Sequence, residues 1–166
     1  MNNTEQQFGA LTNFNKVPNP LLWYTDSYKI SHVKFETYGV SEIYSNITPR
    51  FEKYIAELTG EIWDKKYVVF GVQYTVMRLK MLFELGFFKR EKLEVIQEMR
   101  DTLIPYIGTD KFNHFEALHD LGYLPIIIKA LPEGTLAPVG TPFFTITNTH
   151  PDFEWLPNYL ETFISA

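Results

Sequence analysis

The middle of the chain carries hydrophobic residues at every third or fourth position, which is the spacing of an amphipathic helix. Three such stretches follow one another, and they predict helices over residues 72–86, 89–104 and 110–121. Pro105 should lie just past the second helix. Gly122 should cap the third, because glycine readily takes the left-handed conformation that ends many helices. Together these stretches predict one helical layer.

The pattern on both sides of this layer is that of strands. β-branched residues and short alternating runs predict strands at residues 41–51, 126–128 and 143–147. Residues 131–134 and 137–140 each have proline second and glycine fourth, as a type I turn prefers, so a short strand should join two turns. The predicted fold class is α+β: a mainly antiparallel sheet with a layer of amphipathic helices and a small hammerhead-like strand unit.

The two ends of the chain suggest how it is organised. Residues 1–20 are rich in Asn, Gln and Thr and close with two prolines, which predicts a flexible N-terminal arm. Residues 21–166 are predicted to form one N-terminal domain. The chain stops at Ala166, within a last helix that has an apolar stripe. We therefore expect the domain to be incomplete and the stripe to require a partner.

The composition excludes several classes of protein. A formal net charge of -5 argues against a nucleic-acid binder, whose affinity comes largely from clustered Lys and Arg. The absence of cysteine excludes disulfides and thiolate zinc sites. The sequence shows neither a secretory signal pattern nor an apolar stretch of roughly 18 residues, so we expect a cytoplasmic protein without membrane contact. Aromatic residues reach 16%, which predicts bulky core packing, flat stacking surfaces, or both.

The sequence lacks a self-sufficient catalytic site. The nearest two histidines, His114 and His119, would lie about 140° apart around a helix, unlike the i, i+4 pair of a zinc helix. No two of the nine glycines have the spacing of a dinucleotide-binding loop, and no acidic residue adjoins another. We therefore expect no metal ligands and no catalytic residue in this chain.

Five blocks of sequence stand out in order along nearly all of residues 20–166. They are Leu21 to His32, Ile43 to Phe51, Phe70 to Tyr74, Leu124 to Ile126 with Lys129 to Gly134, and Phe143 to Thr149 with Trp155-Leu156 and Glu161-Thr162 beyond it. In this order they resemble nicotinamide phosphoribosyltransferase, a type II phosphoribosyltransferase. The nicotinate enzymes share the Pro-Glu-Gly turn and a similar Thr-Asp-x-Tyr element, but the first and third blocks are nearer the nicotinamide branch.

The resemblance implies a pentosyltransferase of NAD biosynthesis. Such an enzyme joins nicotinamide to phosphoribosyl pyrophosphate and gives nicotinamide mononucleotide and pyrophosphate. In this family the active site lies at a dimer interface, and the N-terminal segment reaches into the partner's site. A homodimer, or pairing with a barrel-containing chain, is therefore implied, with nicotinamide and phosphoribosyl pyrophosphate as ligands.

The resemblance also implies three substrate-binding residues. Tyr28 matches a tyrosine that stacks on nicotinamide, Asp26 an aspartate close to the same base, and Arg50 an arginine that faces the phosphates of the sugar donor. On the residues alone, Tyr28 would be a core aromatic and Arg50 a solvated surface charge. Asp26 or Thr25 would cap a short helix that runs through Tyr28.

The resemblance covers only part of a family member. The barrel domain, with the remaining catalytic groups, the magnesium site and the histidine used with ATP, would lie wholly beyond residue 166. We expect this chain alone to bind no cofactor and to be inactive, and magnesium and ATP are implied for the complete enzyme. Two alternatives stay open: a nicotinate phosphoribosyltransferase fragment, and a non-catalytic interaction module that pairs with a full-length enzyme.

Overall fold

The fold is that of a computed structural model, and the structure describes residues 17–31, 39–50, 57–58, 64–108 and 110–165. The helices are α1 Pro20–Trp23, α2 Ser27–Ile30, α3 Val72–Phe83, α4 Lys92–Ile107, α5 Asn113–Leu121 and α6 Leu156–Ser165. A π-helical turn, Glu84–Phe88, follows α3, and a 3-10 turn, Pro151–Phe153, precedes α6. The strands are β1 Tyr44–Ile47, β2 Lys66–Val68, β3 Ile126–Ala130, β4 Leu136–Pro138 and β5 Phe144–Asn148. Helices combined with antiparallel strands confirm the α+β class.

The chain forms two compact units, each drawn from two separate stretches. Met1–Phe35 and Met77–Leu124 contribute to the first unit, and Glu36–Val76 and Pro125–Ala166 to the second. The predicted arm over residues 1–20 lies mostly outside the described residues, so its flexibility stays a prediction.

The first unit has a helical core. The helices α4 and α5 pack together, and their buried side chains are Val95, Ile96, Met99 and Leu103 of α4 and Phe115 and Leu118 of α5. Two ion pairs link the same helices at the surface, Lys92–Asp120 at 2.6 Å and Arg100–Glu116 at 2.9 Å. Because exposed ion pairs contribute little, the apolar contact holds the two helices together.

The ends of these helices test the predicted caps. The prediction for Gly122 is confirmed, since it has a φ of 77° and its N–H donates to the carbonyl of Leu118. The prediction for Pro105 is wrong: it lies inside α4, which continues to Ile107 and ends at Gly108. Pro105 cannot donate to the carbonyl of Asp101, four residues earlier, but both residues are exposed, so water can solvate that carbonyl.

The π-helical turn brings the chain close to the segment before α1. A Cβ added at Gly86 would lie 2.5 Å from the backbone oxygen of Pro18. Only glycine permits such an approach between two backbones. The sequence placed Gly86 near a helix end, and in the structure it is a packing residue.

The main sheet of the second unit has three antiparallel strands in the order β1-β5-β3. Along β5, Phe144 and Ile146 are buried, and they alternate with the half-buried Thr145 and Thr147. The helix α6 packs on β1 and β5 and buries its apolar stripe, formed by Leu156, Tyr159, Leu160 and Phe163. Among the residues that the structure describes, α6 covers one face of this sheet and the other face is open.

A second, smaller sheet consists of β2 and β4, paired with Tyr67 opposite Ala137. The two flanking turns predicted the short strand β4, but the sequence pattern did not predict β2. A strand of three residues is too short to show alternation, which is why the pattern did not reveal it.

The two Pro-Gly turns differ from the predicted type I turns. Their closing hydrogen bonds run from Thr135 N–H to the Pro132 carbonyl and from Thr141 N–H to the Pro138 carbonyl. Each turn therefore begins at the proline, and its third residue, Gly134 or Gly140, has a φ above 80°. A type I turn needs a negative φ at that position, so the prediction of the turn type is wrong.

One of these turns also caps α3. The carboxylate of Glu133 accepts the backbone N–H of Gly71 at 2.9 Å and of Gln73 at 3.0 Å. These N–H groups are among those that a helix start leaves without a helical partner. The Pro-Glu-Gly turn is thereby joined to the Phe70–Tyr74 block, although the two are about sixty residues apart in sequence.

Replacing Glu133 by alanine should lower the thermal midpoint of unfolding, and Glu133→Gln should lower it less because the amide oxygen still accepts one bond. The backbone bonds from Gln73 and Gly71 hold the pKa of the Glu133 carboxyl below its ordinary value of 4.5. A lowered folded pKa stabilises the fold above the unfolded pKa, and this stabilisation is lost as pH falls through the folded pKa. Calorimetry between pH 6 and pH 3 should therefore show that the thermal midpoint declines less steeply in both variants than in the unchanged chain. If the thermal midpoint of Glu133→Ala followed the same pH dependence as that of the unchanged chain and of the exposed control Glu57→Gln, the capping role would be contradicted.

Candidate functional site

The segment that carries Asp26 and Tyr28 is built from two short helices. The side chain of Asn19 accepts the N–H of Leu21, and Pro20 starts α1 with the fixed φ that suits a first helical position. After Tyr24 the chain turns, and α2 begins at Ser27. Asn19 and Leu21 are both fully buried, so the segment is anchored in the first unit.

Asp26 occupies the N-cap position of α2, as predicted. Its backbone is extended there, but its side chain makes no capping hydrogen bond. The carboxylate instead lies 4.0 Å from the ammonium group of Lys29, one helical turn later. The expected capping bond is therefore replaced by an ion pair.

Lys29 is a buried charged residue that the sequence pattern did not predict. Its side chain is only 5% exposed, whereas that of Asp26 is 44% exposed. Burying an ammonium group is unfavourable unless an opposite charge and hydrogen bonds accompany it. Asp26 supplies a negative charge on one side and still presents part of its carboxylate to solvent. The i, i+3 spacing of an acid and a lysine was the only sequence signal for this pair.

Tyr28 lies on the exposed side of α2. Its side chain is 57% exposed, so the interpretation as a core aromatic is wrong. Its backbone carbonyl accepts the hydroxyl of Ser31 at 2.6 Å, which helps to close the helical turn. An accessible aromatic ring two residues from an accessible carboxylate suits a flat, polar ligand.

Arg50 belongs to the second unit and follows β1. It is exposed, and the carbonyl of the preceding residue, Pro49, accepts the N–H of Gly140 at 2.9 Å. The turn that contains Gly140 therefore fixes the backbone from which Arg50 extends. Asp26 and Tyr28 thus lie together on one helical turn, and Arg50 lies on the other unit.

Each histidine that the structure describes is either buried or close to a backbone group of this chain. Burial lowers the pKa of His114 to about 4, so this ring is neutral at physiological pH. His119 Nε2 lies 3.0 Å from the carbonyl oxygen of Arg90, and His150 Nδ1 accepts the N–H of Asp152. Within the described ranges, no group of three or more acidic or histidine side chains is arranged to hold a metal ion. The same ranges contain no helix long and apolar enough to cross a membrane.

Comparison with known proteins identifies a relative. No protein-family model matches the chain. The curated nicotinamide phosphoribosyltransferase of Acinetobacter baylyi (strain ATCC 33305 / BD413 / ADP1) is 38% identical to it over 144 residues. The match covers 85% of this chain and 28% of the relative, so the chain spans less than a third of that relative's length. The resemblance of the five blocks is thereby confirmed: along most of its own length, this chain is similar to a nicotinamide phosphoribosyltransferase.

Proposed function

We propose that this chain is the N-terminal portion of a nicotinamide phosphoribosyltransferase, and that it contributes residues to a site completed by further polypeptide. The observation that carries the proposal is the 38% identity over 144 residues. The exposure of the Tyr28 ring supports it, because a ring that stacks on a base must be accessible. Pairing as a dimer, or with a barrel-containing chain, is part of the same proposal.

In the proposed reaction, the ring nitrogen of nicotinamide forms a bond to the anomeric carbon of phosphoribosyl pyrophosphate. The bond from that carbon to pyrophosphate breaks, and its electron pair leaves with the pyrophosphate. The base becomes cationic as the new bond forms. The π face of Tyr28 would stabilise this cation, since aromatic rings attract positive charge.

Arg50 has the chemistry to bind the phosphates of the sugar donor. A guanidinium group is always charged, and its planar donors match phosphate oxygens. Magnesium, when bound, would neutralise charge on the departing pyrophosphate. The described residues do not fit a magnesium site, so we assign magnesium and ATP to the remainder of the complete enzyme.

The charge of Asp26 affects which of the two bases, nicotinamide or nicotinate, the site would bind. Its partly exposed carboxylate can accept the amide N–H of nicotinamide, whereas it would repel the carboxylate of nicotinate. The proposal therefore favours nicotinamide over the nicotinate alternative.

The interaction-module alternative began from the apolar stripe of α6, which is buried against β1 and β5 of this chain. That stripe therefore does not call for an outside partner.

Complementation tests the proposed function. The purified chain should form no detectable nicotinamide mononucleotide from nicotinamide and phosphoribosyl pyrophosphate. Addition of the separately expressed remainder of the Acinetobacter relative should restore formation, with nicotinamide used in preference to nicotinate. Robust activity of the chain alone would overturn the claim that it needs further polypeptide. A complex that forms by light scattering but has no activity would contradict the catalytic proposal and favour an interaction module.

A further inference from the structure

The open face of the three-stranded sheet carries a cleft of about 580 Å³ within the second unit. This volume lies in the range of small-molecule sites. Asp26, Tyr28 and Arg50 do not line the cleft. It is therefore a separate feature from the proposed substrate contacts, and its interpretation rests on its own residues.

The floor of the cleft is an ordered array of side chains. Tyr44 of β1 is paired with Thr147 of β5, which is paired with Ile127 of β3. Two residues further along, Thr145 of β5 is paired with Lys129 of β3. The first row presents an exposed aromatic ring and an exposed apolar side chain, and the second presents a hydroxyl and an ammonium group.

The two ends of the cleft carry opposite charges. Glu42 lies before β1, at the end beyond Tyr44, and Lys129 lies at the other end. Both are exposed, and in the part of the chain that the structure describes neither forms an ion pair. From strand spacing and rise, the Cα atoms of Tyr44 and Lys129 are separated by about 12 Å. An acidic, aromatic end therefore faces a basic, hydroxyl-bearing end across a distance that a small molecule can span.

The acidic end of the cleft is fixed by one buried amide. Asn148 is 6% exposed, and its Oδ1 accepts the N–H of Ile43 at 2.8 Å. Its Nδ2 donates to the carbonyls of Ser41 and His150 at 2.9 and 3.0 Å. Both segments that border this end are thus tied to β5, so the cleft is preorganised, which lowers the entropic cost of binding.

We infer that this cleft binds a dipolar small molecule: a flat cationic ring over Tyr44 beside Glu42, and an anionic group at Lys129. A cation is attracted to both the π face of tyrosine and a carboxylate. The ammonium group of Lys129 is a charged donor for a phosphate, whereas the hydroxyl of Thr145 already donates to the carbonyl of Lys129. A mononucleotide with a positively charged base has this combination of groups.

Nuclear magnetic resonance titration of the whole chain tests the inference with three probes. Nicotinamide mononucleotide carries both the cationic ring and the phosphate, nicotinamide riboside lacks the phosphate, and ribose 5-phosphate lacks the ring. At constant ionic strength, the mononucleotide should shift the backbone amides of Thr145, Thr147 and Ile127 and bind several-fold more tightly than either fragment. Equal binding of ribose 5-phosphate would overturn the dipolar assignment. The absence of shifts at these amides would overturn the site itself.

Two variants separate the charges. Lys129→Gln should weaken binding of the mononucleotide by about fivefold, the size expected for the loss of an exposed ion pair. It should leave the affinity for the riboside unchanged. Glu42→Gln should weaken binding of the riboside and the mononucleotide but not binding of ribose 5-phosphate. Lys80→Gln and Glu57→Gln are matched exposed controls, and they should not change the affinity for any of the three probes. An equal effect of Lys129→Gln and Lys80→Gln would contradict the inference. Shifts confined to residues around Tyr28 would support the proposed function and contradict the cleft.

Discussion

Replacing Tyr28 by alanine should lower the kcat/KM of the complemented enzyme for nicotinamide by roughly 5- to 100-fold, the range expected for loss of one aromatic stack on a base. The ring is 57% exposed, so its removal leaves no cavity in the core. The effect should therefore be on activity and not on folding. Steady-state kinetics with varied nicotinamide measure it, and circular dichroism verifies the fold.

Two further variants make the Tyr28 result specific. Tyr28→Phe keeps the aromatic face and should retain most of the activity, because stacking does not require the hydroxyl. Tyr106→Ala removes a ring of nearly equal exposure, 59%, from α4 and should have no effect. If Tyr28→Ala and Tyr106→Ala have the same kcat/KM as the parent enzyme, Tyr28 does not contact the base.

Phe144→Ala should lower the free energy of unfolding by about 3–5 kcal/mol, the usual cost of emptying the space of a buried phenylalanine. Phe144 is 1% exposed and lies on the central strand, opposite Ile47 on one side and Ala130 on the other. Its removal therefore affects the sheet where all three strands meet. Urea denaturation followed by tryptophan fluorescence measures the change.

The neighbouring residue provides the control for Phe144. Thr145 lies on the same strand, and its side chain points to the open face of the sheet. Thr145→Ala should change the free energy of unfolding by no more than about 0.5 kcal/mol, as surface substitutions usually do. Similar losses in both variants would show that the two faces are equally buried, contrary to the structure.

The features that sequence predicted well are those decided locally. The helical stripes and the cap at Gly122 depend on residues within a few positions of one another, and both are confirmed. The strand β2 depends on its pairing with β4, which lies about seventy residues further along the chain. Glu133 illustrates the limit: its turn was visible in the sequence, but its bonds to Gly71 and Gln73 were not.

In the candidate site, too, some features were predictable from the sequence and others depend on how the chain packs. The resemblance selected Asp26, Tyr28 and Arg50, and the structure shows the side chain of each at least partly exposed. The burial of Lys29 beside Asp26 could not be predicted, because a lysine in a polar segment is normally solvated. Which lysine becomes buried depends on how the surrounding helices pack, and that is a tertiary effect.

The pairing of β1 with β5 has a consequence for biosynthesis. Tyr44 of β1 lies opposite Thr147 of β5, about a hundred residues later, so β1 leaves the ribosome long before its partner exists. At about 5–20 residues per second, the strand waits several seconds or more with its hydrogen-bonding groups unpaired. Contacts of such long range also slow folding, and an unpaired strand can join a foreign edge. The yield of native protein should therefore depend on how well nascent chains are kept apart while the second half of the sheet is made.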